Sequence, residues 1–252
     1  MLNLLKRIYF FLFFLGFDAR KFASFKNLPR FNKDRKTFLS KGGKINRIYP
    51  ELSDYYDSAG EAKGHYFHQD LLVASFIKER SPKRHIDIGS RIDGFVAHVA
   101  SFREIEVLDI RDLDKSIHKN LIFLKRDLMK DVDDLKDSSD SISCLHAIEH
   151  FGLGRYGDTI DPKGHISGFK NIVEMLAVGG ILYISFPISD NPGVHFNSQR
   201  VLDPIEILSW SDRVKLERFD LVDDQGSLHL NADIKSILNQ KYALGIYTLR
   251  KE

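Results

Sequence analysis

Residues 84–95 read Arg-His-Ile-Asp-Ile-Gly-Ser-Arg-Ile-Asp-Gly-Phe, a short apolar strand that is followed by a glycine turn and a second apolar stretch. This succession opens the nucleotide-binding α/β folds, in which the turn lies at the carboxyl end of a central strand. Backbone N–H groups at the start of the following helix then face the ligand. The stretch therefore predicts a strand over 85–88, a turn at Gly89 and a helix over 95–102.

Further strands and helices alternate on both sides of this unit. The apolar spacing predicts helices over 66–79 and 164–177, and the second helix meets a stop signal at Gly179 and Gly180. Short apolar runs predict strands over 105–110, 121–124, 141–145, 181–186, 218–222 and 243–249, with a helix-containing connection between the last two. Alternating strands and helices predict an α/β fold with a mostly parallel sheet and helices on both faces.

The composition is that of an ordinary soluble globular protein, with 43% hydrophobic and 29% charged residues in a chain of 252. A net charge of +2 argues against a dedicated nucleic-acid-binding protein, whose basic residues would concentrate in one patch. The single cysteine, Cys144, excludes an intramolecular disulfide and fits a reducing compartment, and no cysteine cluster is present to hold zinc. We expect a main domain at 64–252, preceded by a basic linker and loop at 26–63 and an apolar and basic helix at 1–25.

The N-terminal helix carries an apolar, aromatic run at 8–15 that follows Lys6 and Arg7. This run is too short to span a bilayer, which takes about 20 residues, and residues 17–21 make a poor signal-peptide cleavage site. Two interpretations stay open. The helix lies in the membrane interface with its basic residues at the headgroups, or it packs against the domain or a partner chain.

The residues around the glycine turn predict a nucleotide site. Asp109 ends the second predicted strand, 22 residues after Asp87, and dinucleotide-binding folds place at this point the acidic residue that holds the ribose hydroxyls. Together with Gly89 and Gly94, these aspartates favour ribose binding over the alternative of a surface aspartate at a strand end.

His146, Glu149 and His150 follow the fourth predicted strand directly. The carboxyl ends of parallel strands are where such sheets bind their ligands. Two histidines four residues apart share one face of a helix and are able to bind a metal, but the glutamate does not stand where zinc proteases have it. General base chemistry or contact with a substrate is the favoured interpretation, and we expect no bound metal.

Two polar segments are predicted to line the same site. Three glycines surround Arg155 and Tyr156 in the loop at 152–158, and an arginine in such a loop is suited to a phosphate or carboxylate. A second segment, 195–200, follows the fifth predicted strand. The alternative for both segments is a structural loop with exposed polar side chains. The residues assigned to substrate binding are Arg155, Tyr156, Asp158, His195, Asn197 and Arg200.

Taken together, these segments resemble a class I S-adenosylmethionine-dependent methyltransferase. The strings that carry the likeness are Ile-Asp-Ile-Gly at 86–89, Val-Leu-Asp at 107–109, Asp127, Ser-Cys-Leu-His-Ala-Ile-Glu-His at 143–150 and a Gly-Gly-Ile-Leu-Tyr turn and strand within 176–187. Residues 64–250 are more closely similar to the DUF268 family of methyltransferase-like proteins. Its distinctive strings here are Gly-His-Tyr-Phe-His-Gln-Asp at 64–70, Asp-Ile-Gly-Ser-Arg-Ile-Asp-Gly-Phe at 87–95 and His-Ala-Ile-Glu-His-Phe-Gly-Leu-Gly-Arg-Tyr-Gly-Asp at 146–158.

The resemblance implies a Rossmann-like sheet of seven strands whose last strand is antiparallel, and S-adenosylmethionine as the cofactor. It implies that Asp87 and Gly89 border the methionine part of the cofactor. Asp109 would then bind the ribose, and Asp127 would lie near the adenine. The full set of cofactor-binding residues assigned in this way is Asp87, Gly89, Ser90, Arg91, Gly94, Asp109 and Asp127.

The sequence departs from the methyltransferase pattern directly after Gly89. Glycines are expected two and four positions later, and this chain has Arg91 and Asp93 there, with Gly94 one position further on. A glycine lets the backbone approach a ligand, whereas an arginine fills space. Arg91 therefore either folds outward or swings into the cleft, where it would pair with an anion and meet the sulfonium of the cofactor as a like charge.

The leading hypothesis is methyl transfer to a hydroxyl of a glycan or sugar intermediate, because the resemblance implies a setting among enzymes of surface polysaccharide synthesis. His146 or His150 would remove the acceptor proton, and Glu149 would orient that histidine. One alternative is an enzyme on the same fold that binds a nucleotide-sugar or sugar phosphate. Another is a non-catalytic domain that scaffolds a membrane-bound glycan assembly complex through residues 1–25. We expect a cytoplasmic location at the inner face of the membrane, and the oligomeric state stays open.

Overall fold

The computed structural model describes residues 11, 16, 23–114, 116–235, 237 and 239–252. The chain divides into two compact units, Met1–Glu61 and Ala62–Glu252. The predicted N-terminal helix at 1–25, including the apolar run at 8–15, lies almost wholly outside the described residues. Within the described ranges, no helix combines the length and the apolar composition that crossing a bilayer requires.

The first unit contains the helix α1, Leu28–Ser40, within the stretch that we expected to be a linker. Pro29 occupies the first turn, where its missing N–H has no helical partner to lose. Arg30 and Asp34, one turn apart, come within 3.8 Å, and the Tyr55 hydroxyl donates to Asp34 at 3.4 Å. Basic residues with good helix propensity therefore form a helix here although their apolar periodicity is weak.

Ten strands are described in the second unit: β1 His85–Ile88, β2 Ile105–Asp109, β3 Leu121–Lys125, β4 Ser139–Leu145, β5 Leu176–Ile188, β6 Gly193–His195, β7 Gln199–Val201, β8 Val214–Val222, β9 Leu228–His229 and β10 Ala243–Lys251. Eight of them form one sheet in the order β3-β2-β1-β4-β5-β10-β8-β9, and β6 pairs with β7. Strands β1 to β5 are parallel, and β10 runs antiparallel to β5 and β8. The predicted mostly parallel α/β sheet with an antiparallel last strand is confirmed, and β9 adds an eighth strand at the edge.

Helices cover both faces of this sheet. On one face lie α2, His65–Arg80, and α3, Ala97–Ala100, which is preceded by a π-helical turn over Ile92–Val96. The other face is covered by α4, Gly164–Met175, and a one-turn helix, Glu206–Ser209. Each face has its own apolar core, one built around Val73, Ile77 and Phe95 and the other around Phe169, Ile172 and Trp210. Because both faces are covered, every residue of β1 is buried.

Two local predictions are wrong. The glycine pair at 179–180 does not stop a helix, because α4 ends at Met175 and β5 begins with the next residue. Gly179 instead has a φ of +79°, inside a bulge where β5 shifts its register against β4. The described residues between β8 and β10 contain β9 and turns but no helix. The Asp223 carboxylate accepts the N–H groups of Gln225 and Ser227, and such local hydrogen bonds favour turns.

The parallel strands place their carboxyl ends along one edge of the sheet. Asp87 in β1 is in register with Val107 in β2 and with Ser143 in β4. The residues that follow these strands, Gly89 and His146, therefore meet at the same edge as Asp109. This edge holds a cleft.

Candidate active site

A cleft of about 530 Å³, open mouth included, lies at the carboxyl ends of β1 to β4. Its apolar lining comes from Ile88, Leu108, Leu128, Met129 and Phe151. A wider groove continues from its mouth. The polar residues that line the cleft are Asp109, Arg111, Arg126, Asp127, His146, His150, Tyr156 and Asp158, and the groove adds Tyr66, Ser90, Arg91, Arg155, Gln199 and Tyr242. A flat apolar group with a polar attachment fits such a lining.

The turn after β1 is held open by Gly89, whose φ is +67°. Its N–H donates to the carbonyl of Leu108 at 3.0 Å, which ties the turn to β2. A Cβ atom at this position would come within 3.1 Å of the Cβ of Ala147. Glycine is therefore required both by the backbone angle and by the close approach of the segment after β4.

Asp87 does not reach the cleft, although we predicted it beside the cofactor. Its carboxylate is fully buried and accepts the Ser90 N–H at 3.1 Å, the Ser90 hydroxyl at 2.6 Å and the Ser143 hydroxyl at 2.6 Å. Burial raises the pKa of Asp87 to about 6, although these hydrogen bonds act in the opposite direction. Asp87 therefore links the turn, through Ser90, to β4, through Ser143.

Asp109 and Asp127 line the cleft from the ends of β2 and β3, where we predicted the ribose and adenine sites. Asp109 accepts three donors of Arg111, its backbone N–H and two guanidinium N–H groups, at 2.6–2.8 Å. Asp127 accepts the N–H of Met129 at 3.0 Å and lies 3.7 Å from the ammonium of Lys130.

Arg91 folds outward. Its guanidinium pairs with Asp93 at 3.1 Å, lies 5.0 Å from the centre of the Tyr66 ring and lines the groove rather than the cleft. Ser90 also lines this groove, although only 4% of the residue is exposed. Gly94 lines neither, because it packs against α2, where a Cβ atom would meet the Asp70 carboxylate at 2.5 Å. The space beside Gly89 is therefore not filled by the arginine that replaces the expected glycine.

His146 follows β4 with a left-handed φ of +53°, which is uncommon for a residue with a side chain. Its Nδ1 lies 2.8 Å from Glu149 Oε1, and its Nε2 lies 3.2 Å from Nδ1 of His65. Glu149 is fully buried. Both ring nitrogens of His146 thus have a protein partner.

His150 differs from His146, because only one of its ring nitrogens has a hydrogen-bond partner. Nδ1 lies 2.8 Å from the carbonyl of Ser198, which can only accept, and 3.4 Å from the Arg155 guanidinium, which can only donate. The much shorter contact with the carbonyl assigns the proton to Nδ1. Burial lowers the pKa of His150 from its ordinary value, so the ring is neutral at neutral pH. Its Nε2 is then unprotonated, and it lies 3.7 Å from Glu149 Oε1, too far for a hydrogen bond.

The glycine-rich loop at 152–158 is organised by Asp158. This carboxylate accepts the N–H groups of Gly152 at 2.8 Å, Gly154 at 3.1 Å and Tyr156 at 3.1 Å. The Tyr156 ring borders the cleft, with the Arg111 guanidinium 4.4 Å from its centre. The loop therefore contributes Tyr156 to the cleft and uses Asp158 to hold its own shape.

Arg155 points its guanidinium into the groove, where it donates to the Ser198 carbonyl at 2.9 Å and lies 5.1 Å from the centre of the Tyr156 ring. His195 and Asn197, which we predicted in the pocket, are exposed and line neither the cleft nor the groove. The polar segment after β5 folds into the hairpin β6–β7 and leaves these two side chains outside.

Arg200 is also absent from the cleft, because its side chain is needed inside the fold. Only 3% of the residue is exposed. Its guanidinium donates to the carbonyls of Phe151 at 2.6 Å, Glu149 and Pro162 at 3.2 Å and Asp161 at 3.4 Å. Arg200 thereby ties β7 to the loop that carries the histidines.

Sequence reasoning missed His65, Tyr66, Arg111 and Tyr242. His65 and Tyr66 stand in the distinctive string at 64–70, but nothing in that string shows that the start of α2 lies against His146. Tyr242 comes from the far end of the sequence and stacks on His65 with ring centres 5.4 Å apart. In the described part of the chain, no three side chains of His, Cys, Asp or Glu converge as metal ligands.

Residues 96–210 match the model of the family described as "Caenorhabditis protein of unknown function, DUF268". The match includes the string at 146–158 and leaves out those at 64–70 and 87–95. No curated protein matches the chain in sequence.

Solved structures share the fold at low identity. The [4+2]-cyclase SpnF superposes with a TM-score of 0.53 at 13% identity, covering 84% of this chain and 90% of that one. A candidate sarcosine dimethylglycine methyltransferase from Galdieria sulphuraria gives 0.53 at 13% identity over 88% and 98% of the two chains. The glycopeptide N-methyltransferase MtfA gives 0.50 at 9% identity over 73% and 99%. At such identities the likeness establishes the fold alone. The resemblance predicted from the sequence is confirmed: residues 96–210 are similar to the DUF268 family, and the fold is similar to that of solved methyltransferase structures.

Proposed function

We propose that this protein is an S-adenosylmethionine-dependent methyltransferase that acts on a hydroxyl of a sugar-type acceptor. The observation that carries the proposal is the position of an unprotonated imidazole nitrogen, Nε2 of His150, where the cleft opens into the groove. Since the fold alone does not fix a function, and the similar structures include a cyclase, the proposal depends on these residues.

The lining of the cleft fits the proposed cofactor. The apolar walls suit an adenine ring, the Asp109 carboxylate is placed for a ribose diol, and the Gly89 turn lets the backbone approach the methionine part. Arg91 leaves this space open. When bound, S-adenosylmethionine supplies a methyl group on a positively charged sulfur.

The protein has to align the acceptor hydroxyl with the methyl group and to remove the hydroxyl proton. The acceptor oxygen forms the new bond to the methyl carbon, and the electron pair of the broken carbon–sulfur bond stays on sulfur. The hydroxyl proton goes to Nε2 of His150, and the resulting imidazolium faces the buried Glu149 carboxylate. Alignment of oxygen and carbon supplies most of the rate in such a displacement.

The groove supports a sugar-type acceptor. Its rings, Tyr66, Tyr156 and Tyr242, offer apolar faces and hydroxyls, and Gln199 donates to the Tyr242 hydroxyl at 2.7 Å. The groove also holds Arg155, which is suited to a carboxylate or phosphate on the acceptor. An acceptor in surface polysaccharide synthesis has these properties.

The first unit supports an action at the cytoplasmic face of a membrane. Residues 26–47 hold eight lysines and arginines against one aspartate, and Phe38 and Leu39 of α1 are about half exposed. Basic helices with apolar side chains bind anionic membrane surfaces. Sedimentation with phosphatidylglycerol vesicles but not with phosphatidylcholine vesicles would support this location, and equal sedimentation with both would exclude it.

Titration calorimetry with S-adenosylmethionine and S-adenosylhomocysteine tests the cofactor directly. We expect micromolar binding that falls at least about tenfold in Asp109→Asn, which weakens the acceptor for the ribose. Glu104→Gln, an exposed residue outside the cleft, is the matched control. The proposal fails if neither compound binds the wild-type protein at millimolar concentration.

A further inference from the structure

His65 is the first residue of α2. It contacts His146, which lines the cleft, but His65 itself does not line the cleft. Its ring is stacked against His146 and Tyr242, with centroid distances of 5.3 and 5.4 Å and interplanar angles of 21° and 19°. Burial lowers the pKa of His65 to about 4, and the neighbouring His146 acts in the same direction. A neutral ring offers one donor and one acceptor nitrogen.

These contacts form a continuous chain. Glu149 Oε1 lies 2.8 Å from Nδ1 of His146, and Nε2 of His146 lies 3.2 Å from Nδ1 of His65. Because both nitrogens of His146 are engaged, neither is free to take a proton from an acceptor in the groove. The two histidines that follow β4 therefore have different tasks, and His150 is the base.

Glu149 depends on this chain. The side chain is fully buried, and its second oxygen, Oε2, has no hydrogen-bond partner among the described residues. A buried carboxylate with a single hydrogen bond depends on that one partner for its position. That partner is His146, whose own ring is fixed on its other side by His65.

We propose that His65 is a positioning residue of the active site, because it holds His146 on Glu149 and thereby sets the proton affinity of the base His150. This inference rests on the proposed function for its catalytic meaning, but the chain itself exists without a cofactor. The charged groups that face His150 are Glu149, Arg155 and His146. Glu149 favours the protonated base, and the other two oppose it.

The sign of the effect follows from this arrangement. With His65 in place, the Glu149 carboxylate is engaged by His146 and is only partly available to stabilise a proton on His150. Without the hydrogen bond from His65, the His146 ring is free to turn away, and the buried carboxylate has His150 as its nearest partner. An opposite charge within about 4–6 Å favours the charged form and raises a histidine pKa.

Two substitutions separate the hydrogen bond from the stacking. His65→Phe keeps a flat ring against Tyr242 and removes the bond to His146, whereas His65→Asn places an amide near the former Nδ1 and keeps it. We expect the pKa of His150, read from its imidazole resonances by NMR, to rise in His65→Phe by about half a unit, a roughly threefold gain in proton affinity. His65→Asn should restore the wild-type value, and His68→Phe, one turn along the same helix, should leave it unchanged.

The proposal is overturned if the pKa of His150 in His65→Phe equals the wild-type value, or if His65→Asn shifts it as much as His65→Phe does. Binding of S-adenosylhomocysteine is measured on the same samples and is expected to stay at the wild-type affinity, which also shows that the variants are folded. A wild-type protein that fails to bind this compound would remove the proposed function, whereas the response of His150 would still decide the role of His65.

Discussion

The guanidinium of Arg111 forms a bidentate ion pair with the carboxylate of Asp109, with Nη2 2.6 Å from Oδ2 and Nε 2.8 Å from Oδ1. The aspartate side chain is 6% exposed and that of the arginine 47%. Asp109 is the residue proposed to hold the cofactor ribose, so a ligand has to share this carboxylate with Arg111 or displace it.

Arg111→Met should therefore bind S-adenosylhomocysteine more tightly than the wild type. A half-exposed ion pair contributes about 1 kcal/mol at most, which corresponds to roughly a threefold to fivefold gain in affinity. Calorimetry at low and at physiological salt measures it, and the gain should shrink as salt weakens the wild-type pair. Weaker binding by Arg111→Met would mean that the arginine contacts the ligand instead of competing with it.

Gly89→Ala tests the turn after β1. The left-handed backbone at a φ of +67° disfavours a side chain by about 1–2 kcal/mol, and the new Cβ would press on Ala147 at 3.1 Å. We expect a melting temperature lower by about 2–8 °C and about tenfold weaker binding of S-adenosylhomocysteine. Gly179→Ala has a similar φ, +79°, with no atom within 4 Å, so it should lower the melting temperature and leave binding unchanged.

The buried carboxyl of Asp87 makes stability depend on pH. Its folded pKa, about 6, lies above the ordinary 3.8, so the folded state holds the proton more tightly than the unfolded state. The contribution is fully present below about pH 4 and is lost as the pH rises through 6, a change of roughly 3 kcal/mol.

Urea unfolding at pH 4, 5, 6 and 7 measures this effect. In Asp87→Asn the side chain cannot ionise, and the decline in unfolding free energy between pH 4 and 7 should become smaller than in the wild type by roughly 2 kcal/mol. Equal pH dependence in the two proteins would show that the carboxyl is not held protonated by burial.

Arg200→Met should destabilise the protein without touching the cleft. The substitution leaves the carbonyls of Glu149, Phe151, Asp161 and Pro162 without their donor, at a cost of about 3–5 kcal/mol. The melting temperature should fall by roughly 6–20 °C in calorimetry. Arg80→Met removes a surface ion pair with Glu217 and should change it by only a few degrees.

The sheet could be predicted from the sequence because its signals are local. The run at 85–88 is apolar and short, and the turn that follows needs a glycine whatever the rest of the chain does. The ends of β2 and β4 were predicted for the same reason, and Asp109 and His150 indeed line the cleft. The edge strand β9 has only two residues, too few for any periodicity.

The remainder of the site depends on contacts between distant segments. Asp87 was predicted as a cofactor contact from the resemblance, and Arg200 as a substrate contact because polar residues follow β5. The polar groups of both side chains are used within the protein. His65 and Tyr242 lie 177 positions apart in the sequence, and only the packing of α2 beside the start of β10 brings their rings together. No single-sequence pattern contains that pairing.

The position of β10 has a consequence for how the protein is made. In the sheet it lies between β5 and β8, yet it is synthesised after β8 and β9. During synthesis, β8 therefore lacks its partner strand β10 until residues 243–251 have been added. The cleft is lined by the carboxyl ends of β1 to β4 and the segments that follow them, whereas Tyr242 of the groove immediately precedes β10. The residues of the cleft are thus synthesised before the strand that fills the central position of the sheet.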